Sequence, residues 1–371
     1  MNKGLYIHFP FCRKKCNYCD FYSLADGSRK GEYIDALCRE IKAYKGISVD
    51  TVYFGGGTPS LMSGSELEKL LDAVYTSFDV DKNAEITLEA NPMSVNEGEK
   101  LKAFKSAGIN RLSLGVQSFS DTELKELGRG HTAQDAVDTV KRAQEAGFDN
   151  ISIDLMFALP RQTLDSFTKG LDTALSLGVQ HISTYALSIE DKTVFGVKQR
   201  RGENLFLPDE DVEAEMYFSA CERLSQAGFE HYEISNFAKD GFRSRHNMKY
   251  WQAEEYIGIG ASAHSYFEGV RYSMPSDISA FCNEARRLDS YTNTPEDRAE
   301  EFIFLSLRLS DGLNLQRLEK EYGVRITHQF EITARELVDA GLCKYDNGVL
   351  SLTHKGFFVS NSVIVKIFEA L

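Results

Sequence analysis

The first half of the chain alternates short apolar runs with segments of helical periodicity. The runs are rich in β-branched and aromatic residues and cover residues 5–9, 51–54, 85–90, 111–116, 151–156 and 182–187. Runs of this length and composition are typical of buried strands. Six strands that alternate with helical segments predict a parallel sheet whose connections are crossover helices. The pattern therefore favours an α/β fold, a partial (β/α)6 TIM-like barrel that has fewer than eight units.

The segments between the runs carry the signals of helices. One apolar stripe recurs every three or four residues after the first run, at Tyr33, Leu37, Ile41 and Tyr44. Ser63 and Ser65 are candidate caps for the helix after the second run. Three further helices are expected to end at glycines that suit a left-handed conformation, namely Gly108, Gly147 and Gly178.

The regular pattern ends near Glu190, and the rest of the chain has a different character. A polar helix is predicted over residues 209–227, and a segment rich in aromatic residues, glycine and histidine follows it. The last hundred residues predict helices closed by a hairpin at Asn347 and Gly348, a pattern similar to a winged helix. We therefore predict a barrel core over 1–190, a barrel extension over 191–275 and a small α+β winged-helix-like domain over 276–371.

Composition limits the function only weakly. The 371 residues include 42 basic and 55 acidic side chains, which gives a net charge of −13. An acidic chain without a basic stripe argues against a nucleic-acid-binding surface. The sequence shows no stretch of about 20 apolar residues, so no transmembrane segment is expected. The first residues lack the features of a signal peptide, which predicts a cytoplasmic location.

Three of the seven cysteines lie close together directly after the first predicted strand. Cys12, Cys16 and Cys19 have the spacing C-x3-C-x2-C. In a reducing compartment, closely spaced thiols indicate a metal more often than a disulfide. Structural zinc usually takes four protein ligands, whereas a 4Fe-4S cluster held by three cysteines leaves one iron open to a substrate or cofactor. The other four cysteines are scattered and are expected to be small buried apolar residues.

Polar and glycine residues follow several strands at the end where a barrel places its active site. The second strand leads into a glycine run over residues 55–57, and bare glycines let the backbone approach a ligand closely. Glu89, Gln117 and Asp154 lie at or near the ends of the next three strands. Polar residues on successive strands indicate a lined pocket beside the cysteine loop.

The cysteine spacing after an N-terminal strand resembles the signature of the radical SAM superfamily. The resemblance implies a 4Fe-4S cluster on Cys12, Cys16 and Cys19, whose open iron is chelated by S-adenosylmethionine (SAM). The segments YIHFPFC, GGGTPS, EANP, GVQSF, LGRGHT and IDLMFALPRQT together resemble the oxygen-independent coproporphyrinogen III oxidase family.

That narrower resemblance implies two groups of SAM-binding residues. The positions around the cluster-bound SAM are Tyr6, Gly56 and Glu89. The positions that surround a second SAM in the oxidase are matched here by Tyr18, Gly57, Thr58, Gln117, Arg129, Asp154 and Ala186. The resemblance leaves open whether a second SAM binds to this chain.

Two departures from the oxidase pattern favour the heme-chaperone branch of the family. The oxidases carry a fourth cysteine where this chain has Phe21, and they have an N-terminal extension before the motif. The heme-chaperone branch carries a motif that this chain matches as HNMKYW. The resemblance makes His246, Asn247, Tyr250 and Trp251 candidate heme contacts, and His246 is either an iron ligand or a hydrogen-bonded structural residue.

Two functions are therefore compared. The first is a heme chaperone of radical SAM type that passes heme to an acceptor protein, whose identity the sequence does not reveal. The second is an enzyme of porphyrin biosynthesis that converts coproporphyrinogen III to protoporphyrinogen IX by SAM-dependent decarboxylation. The basic run Arg13, Lys14 and Lys15, which lies between the cluster cysteines, suggests a docking site for an acidic, flavodoxin-like reductant.

Overall fold

The computed structural model describes residues 2–95, 97–284 and 287–371. Within these residues the strands are β1 (Lys3–Phe9), β2 (Ile47–Gly56), β3 (Phe78–Ala90), β4 (Arg111–Gln117), β5 (Ile151–Phe157), β6 (His181–Ala186), β7 (Glu230–His231), β8 (Asn236–Ala238), β9 (Tyr256–Ile259), β10 (His264–Phe267), β11 (Val270–Ser273), β12 (Leu288–Thr292), β13 (Leu313–Asn314), β14 (Cys343–Asp346) and β15 (Val349–Leu352). The helices are α1 (Lys30–Ile41), α2 (Gly64–Ser77), α3 (Gly98–Ala107), α4 (Asp121–Glu126), α5 (Ala133–Glu145), α6 (Leu164–Ser176), α7 (Val194–Arg200), α8 (Glu210–Gln226), α9 (Arg245–Trp251), α10 (Ile278–Asn283), α11 (Pro295–Ser306), α12 (Leu315–Tyr322), α13 (His328–Asp339), α14 (His354–Phe358) and α15 (Ser360–Ala370).

Strands β1 to β6 are parallel neighbours in chain order. The first five contain the predicted runs, and β6 covers all but the last residue of the sixth run. The predicted partial barrel is therefore confirmed. Tyr6 of β1 pairs with Tyr53 of β2, which pairs in turn with Thr87 of β3. These three residues therefore lie side by side across the sheet. The parallel strands do not close on themselves, because β1 pairs with β9 and β6 pairs with β8. The result is an open, curved sheet rather than a full barrel.

The helices begin and end for the reasons that the sequence indicated. Ser63 caps α2 through a reciprocal capping box with Glu66. The Asp209 side chain accepts a hydrogen bond from Val212 N at the start of α8, the predicted polar helix. Gly108 ends α3 with φ +117°, a conformation that residues with a Cβ rarely adopt.

The segment beyond Glu190 extends both edges of the sheet, which the sequence did not predict. The sheet has the order β12-β11-β10-β9-β1-β2-β3-β4-β5-β6-β8-β7. Strand β9 runs parallel to β1, whereas β8 runs antiparallel to β6. The segment rich in aromatic residues thus contributes strands on both sides of the six-stranded core.

The C-terminal module has the element order of a winged helix. Helix α11, strand β13, helices α12 and α13 and the hairpin β14–β15 follow one another, and the strands pair in the order β13-β15-β14. Asn347 and Gly348 both have positive φ in the hairpin turn, as Asn-Gly predicts. This part of the fold prediction is confirmed, while the three domain boundaries stay a prediction.

Helix α9 and the C-terminal module cover the amino-terminal end of the parallel strands. At the start of α9, the backbone N–H groups of Arg245 and His246 donate to the carboxylate of Glu85, a residue in the middle of β3 that pairs with Thr51 of β2. The C-terminal module attaches nearby, since Ser310 N donates to Tyr232 O at 3.0 Å. The carboxyl ends of the strands stay available for a site. Within the described ranges, every helix is too short or too polar to span a lipid bilayer.

Candidate functional site

Strand β1 leads directly into the loop that carries the three cysteines. Several backbone hydrogen bonds hold this loop, among them one from Cys12 N to Leu24 O at 2.9 Å and one from Asn17 N to Leu127 O at 3.0 Å. Cys12, Cys16 and Cys19 are half-buried free thiols. The loop therefore presents three thiols that form no disulfide at the carboxyl end of the parallel strands, where the sequence analysis expected the active site.

Two side chains from neighbouring loops, one after β2 and one between α4 and α5, donate hydrogen bonds to these sulfur atoms. Thr58 Oγ1 donates to Cys12 Sγ at 3.4 Å, and Arg129 Nη1 donates to Cys16 Sγ at 3.5 Å. Burial raises the pKa of the Cys12 and Cys19 thiols. Thiols with raised pKa values stay protonated at neutral pH until a metal ion displaces the protons. The nearby donors suit the thiolate form that a cluster requires.

The cysteines and most predicted SAM residues line one cavity of about 790 Å³. The predicted residues on its wall are Cys12, Cys16, Tyr18, Cys19, Gly56, Gly57, Thr58, Glu89, Gln117, Arg129 and Asp154. Ala186 lines an adjoining cavity of about 1310 Å³ that shares Tyr18, Glu89 and Asp154 with the first. Tyr6 lies within the sheet, where its hydroxyl is 3.0 Å from His8 Nδ1. The structure thus brings residues from six strands or strand ends to one place.

The glycine run after β2 forms a cradle that side chains would fill. A Cβ at Gly56, where φ is +107°, would lie 2.4 Å from Cε1 of His8. A Cβ at Gly57 would lie 2.7 Å from the carbonyl oxygen of Phe11, in the cysteine loop. These contacts are shorter than van der Waals distances, so only glycine lets the strand end approach the loop so closely.

Glu89 places a half-buried carboxyl group beside this cradle. Its Oε1 accepts from Tyr53 Oη at 2.9 Å, and its Oε2 accepts from Gly56 N at 3.1 Å. Burial raises the pKa of Glu89 to about 7, with a further contribution from the nearby Asp154 carboxyl. A carboxylate held in this way is a suitable partner for a ligand amino group, whose N–H donors would favour the ionised form of Glu89.

The opposite wall of the cavity is a network of polar groups from β4, β5 and β6. Tyr185 Oη donates to Gln117 Oε1 at 2.8 Å, and Ser113 Oγ donates to Asp154 Oδ1 at 3.4 Å. Burial raises the pKa of Asp154. The Arg129 guanidinium bridges this wall to the cluster loop, because it donates to Gly115 O as well as to Cys16.

The donor set fits a 4Fe-4S cluster and SAM. Among the described residues, the buried Nε atoms of Arg129 and Arg111 have no hydrogen-bond partner, although both residues border the cavities. Three free thiols suit iron, the Glu89 carboxyl group suits an amino group, and the guanidinium and bare backbone suit a carboxylate. The site therefore offers complementary groups for each polar end of a zwitterionic ligand.

Sequence reasoning missed several residues of the cavity walls. Arg111, Ser113, Tyr53 and Tyr185 line one or both cavities. In β4 every second residue faces the cavities, which places Arg111, Ser113, Gly115 and Gln117 on the inner face. A signal was present, since alternation of polar and apolar residues in a strand predicts one polar face. Only the residue at the strand end was chosen from the sequence.

The four candidate heme residues do not form one surface. His246 is 1% exposed, with Nδ1 at 2.8 Å from Thr51 Oγ1 and Nε2 at 2.8 Å from Tyr250 Oη. Asn247 lines the larger cavity, whereas Trp251 packs half-buried beside Tyr232. Burial lowers the pKa of His246 to about 3, so the imidazole is neutral. In this conformation both ring nitrogens are engaged.

The mouth of the site combines an aromatic ring with basic residues. Phe21, at the position where the oxidases carry a fourth cysteine, is 69% exposed and lines both cavities. Lys15 Nζ donates to Phe21 O at 3.1 Å, and Lys14 lines the same opening. Arg13, Lys14 and Lys15 are all exposed.

Comparison with known proteins decides the family. A model of the radical SAM superfamily matches residues 6–174, and a model of the HemN C-terminal domain matches residues 293–359. The chain is 38% identical to the heme chaperone HemW of Lactococcus lactis, over 97% of this chain and 96% of that protein. It belongs to the HemW family of radical SAM proteins. The predicted family and branch are thereby confirmed.

Other members of the family have similar coverage. The heme chaperone HemW of Bacillus subtilis is 39% identical over 97% of this chain and 98% of its own length. Among solved structures, the coproporphyrinogen III oxidase HemN of Escherichia coli, a radical SAM enzyme, has a TM-score of 0.85. That match covers 100% of this chain and 91% of the other at 22% identity, so it shows a common fold and nothing about activity.

Proposed function

We propose that this protein is a heme chaperone of radical SAM type, which binds heme and transfers it to an acceptor protein. The observation that carries the proposal is the identity of 38% and 39% to proteins named heme chaperone HemW, over nearly the full length of both chains. The exposed Phe21 at the fourth cysteine position supports the same function. A cytoplasmic location stays a prediction.

Different residues of the site would bind the cluster and SAM. Cys12, Cys16 and Cys19 would hold the 4Fe-4S cluster, which when bound supplies a redox-active iron with an open coordination position. Glu89 would accept a hydrogen bond from the amino group of SAM, and the cradle of Gly56 and Gly57 would let backbone groups reach it. The Arg129 guanidinium would offset the negative charge of the thiolates, because it already donates to Cys16 Sγ.

We propose that heme contacts the segment of α9 that contains His246, Asn247, Tyr250 and Trp251. Thr51 Oγ1 holds Nδ1 of His246, which is the arrangement that orients a metal-ligating imidazole through its second nitrogen. Nε2 is the nitrogen that would meet iron, and it now bonds the Tyr250 hydroxyl. Because His246 is buried, ligation requires α9 to move away from the strands that it covers.

A heme titration of anaerobically reconstituted protein, followed by visible absorbance, tests this proposal. We expect saturation near one heme per chain. His246→Ala should weaken binding by about tenfold or more, whereas Tyr250→Phe should strengthen it because the competing hydroxyl is removed. His264→Ala, which alters an exposed histidine on β10, is the matched control and should behave like the unaltered chain.

The outcomes separate the parts of the proposal. If both α9 variants bind heme saturably and as tightly as the unaltered chain, the chaperone function still holds and His246 has a structural role. Absence of saturable binding would contradict the chaperone function. An assay of SAM-dependent coproporphyrinogen III decarboxylation would then follow, because the alternative enzyme shares the fold and the cluster site.

A further inference from the structure

A second group of metal-ligating side chains lies far from the cysteine loop, where the C-terminal module meets the sheet. Cys221 on α8, His231 on β7 and His354 at the start of α14 each direct one ligand atom to a common point. These three atoms lie within 4.8 Å of one another, and Cys221 Sγ is 3.9 Å from His231 Nδ1. Adjacent ligands of a tetrahedral zinc ion lie roughly 3.5 Å apart, given Zn–S and Zn–N bonds of about 2.3 and 2.0 Å.

The His231 ring is fixed in the orientation that a ligand needs. His231 Nε2 is 3.3 Å from Ile234 O, so a proton on Nε2 leaves the Nδ1 lone pair directed toward the Cys221 thiol. The ring also stacks on Phe237 at a centroid distance of 4.1 Å and an angle of 8°. Metal-ligating histidines commonly donate their second N–H to a backbone carbonyl, which sets their tautomer.

A neighbouring hydroxyl favours the thiolate form of Cys221. Tyr217, one turn earlier on α8, is buried, and its hydroxyl interacts with the Cys221 side chain as a weak hydrogen bond. A neutral thiol is a weak acceptor, whereas a metal-bound thiolate would accept a stronger hydrogen bond from this hydroxyl. The hydroxyl is therefore placed to support Cys221 as a metal ligand.

The group is reachable from solvent on one side. His354 is exposed, and His231 and His354 both line an open cavity of about 970 Å³ between the C-terminal module and α8. Lys344 lines the same cavity, which leaves the thiolate of Cys221 as the anion that balances a bound cation.

We propose that Cys221, His231 and His354 form a zinc site with an open fourth position. A thiolate and two imidazoles are the ligands that Zn²⁺ prefers, and three protein ligands are typical of sites that keep a position for water or another ligand. The site accommodates an ion and not a macrocycle, because the His231 ring is only 5.0 Å from Phe357 and 5.2 Å from His354.

Zinc at this position would fasten the C-terminal module to the sheet. His354 belongs to the module, whereas Cys221 and His231 belong to α8 and to the last strand of the twelve-stranded sheet. The inference concerns this junction and does not depend on heme binding.

Equilibrium dialysis against Zn²⁺ tests the proposal on the full chain with its cluster already assembled, so that Cys12, Cys16 and Cys19 are occupied by iron. We expect one zinc per chain beyond the iron, with the iron content unchanged. His354→Ala should weaken zinc binding by about tenfold or more. Zinc should also raise the melting temperature of the unaltered chain and have little effect on that of His354→Ala.

The control is His328→Ala, which removes an exposed histidine from α13 of the same module and should bind zinc normally. Cys221→Ala should lose binding as well, and His354→Ala remains decisive if that buried substitution prevents folding. Zinc binding of His354→Ala equal to that of the unaltered chain, or failure of the unaltered chain to bind zinc, would overturn the proposal.

Discussion

At the scale of single residues, the strongest signal was the chemistry of the side chain together with its spacing. The three cysteines identified the cluster loop, because three thiols within eight residues have few explanations other than metal binding. Arg111 and Tyr185 escaped notice, since an arginine that begins a strand and a tyrosine within one have many ordinary explanations. Their function depends on the cavity that neighbouring strands enclose, and this cavity is a property of the assembled sheet.

The Glu89 carboxyl predicts how SAM binding depends on pH. Burial raises its pKa to about 7, so in the free protein it ionises near neutral pH. Because the Glu89 carboxylate is the better acceptor for the N–H groups of the SAM amino group, SAM affinity should increase as the pH rises from 6 to 8. Without ligand, the folded chain holds this proton between roughly pH 4.3 and 7 while the unfolded chain has released it. The free energy of unfolding that Glu89 contributes should therefore fall as pH rises across that range.

Equilibrium dialysis of SAM at several pH values checks this expectation. Glu89→Gln should bind SAM weakly and with little pH dependence. Glu233→Gln is a matched control, because Glu233 is buried and also has its pKa raised to about 7 but lies outside both cavities. Equal pH dependence in Glu89→Gln and the unaltered chain would exclude Glu89 as the partner of the SAM amino group.

At the scale of elements, the sequence predicted the long strands, the helices and the C-terminal hairpin, and it missed the short strands at the edges of the large sheet. The strands β1 to β6 have six or more residues each, so periodicity and composition identify them. Strands β7 to β11 have two to four residues, too few to show a period, and their pairing at both sheet edges depends on contacts distant in sequence. The α9 segment was noticed for its aromatic residues, yet its role in covering the strand ends could not be predicted.

The basic residues of the cysteine loop predict that reduction of the cluster depends on salt concentration. Arg13 and Lys14 are exposed beside the cavity, and nearby cations accelerate association with an acidic protein. We expect an acidic flavodoxin to reduce the cluster about tenfold more slowly in Arg13→Gln/Lys14→Gln than in the unaltered chain at low ionic strength. The difference should vanish in high salt because of screening.

Stopped-flow absorbance of the cluster measures this rate. Lys366→Gln, which removes an exposed lysine from α15 in the C-terminal module, should leave the rate unchanged. A rate for the double variant that equals the unaltered rate at every salt concentration would show that the reductant docks elsewhere.

At the scale of the whole molecule, the two ends of the parallel strands differ in what they contact. The carboxyl ends hold the candidate cluster and SAM site, and the amino-terminal ends are covered by α9 and the C-terminal module. The sequence predicted the module as a unit but not its position. Its attachment depends on a β-bridge between Glu233 and Leu309 and on packing of α14 against α8, contacts that join distant parts of the chain.

We expect the aromatic contact between α14 and α8 to contribute to the free energy of unfolding by attaching the C-terminal module to the rest of the chain. Phe358 lies 5.2 Å from the ring of Tyr217 and 5.7 Å from that of Phe218. Phe358→Ala removes this half-buried ring and should lower the free energy of unfolding by about 2 kcal/mol, less than for a fully buried phenylalanine. Val359→Ala changes an exposed neighbour and should alter stability by less than about 0.5 kcal/mol.

Urea denaturation of both variants, together with iron content per chain, distinguishes attachment of the module from integrity of the cluster site. Because α14 packs near the amino-terminal ends of the strands, Phe358→Ala should retain its iron while it loses stability. Equal stability of the two variants would show that the aromatic contact does not hold the module. Loss of iron in Phe358→Ala alone would instead show that the module stabilises the cysteine loop from the opposite end of the sheet.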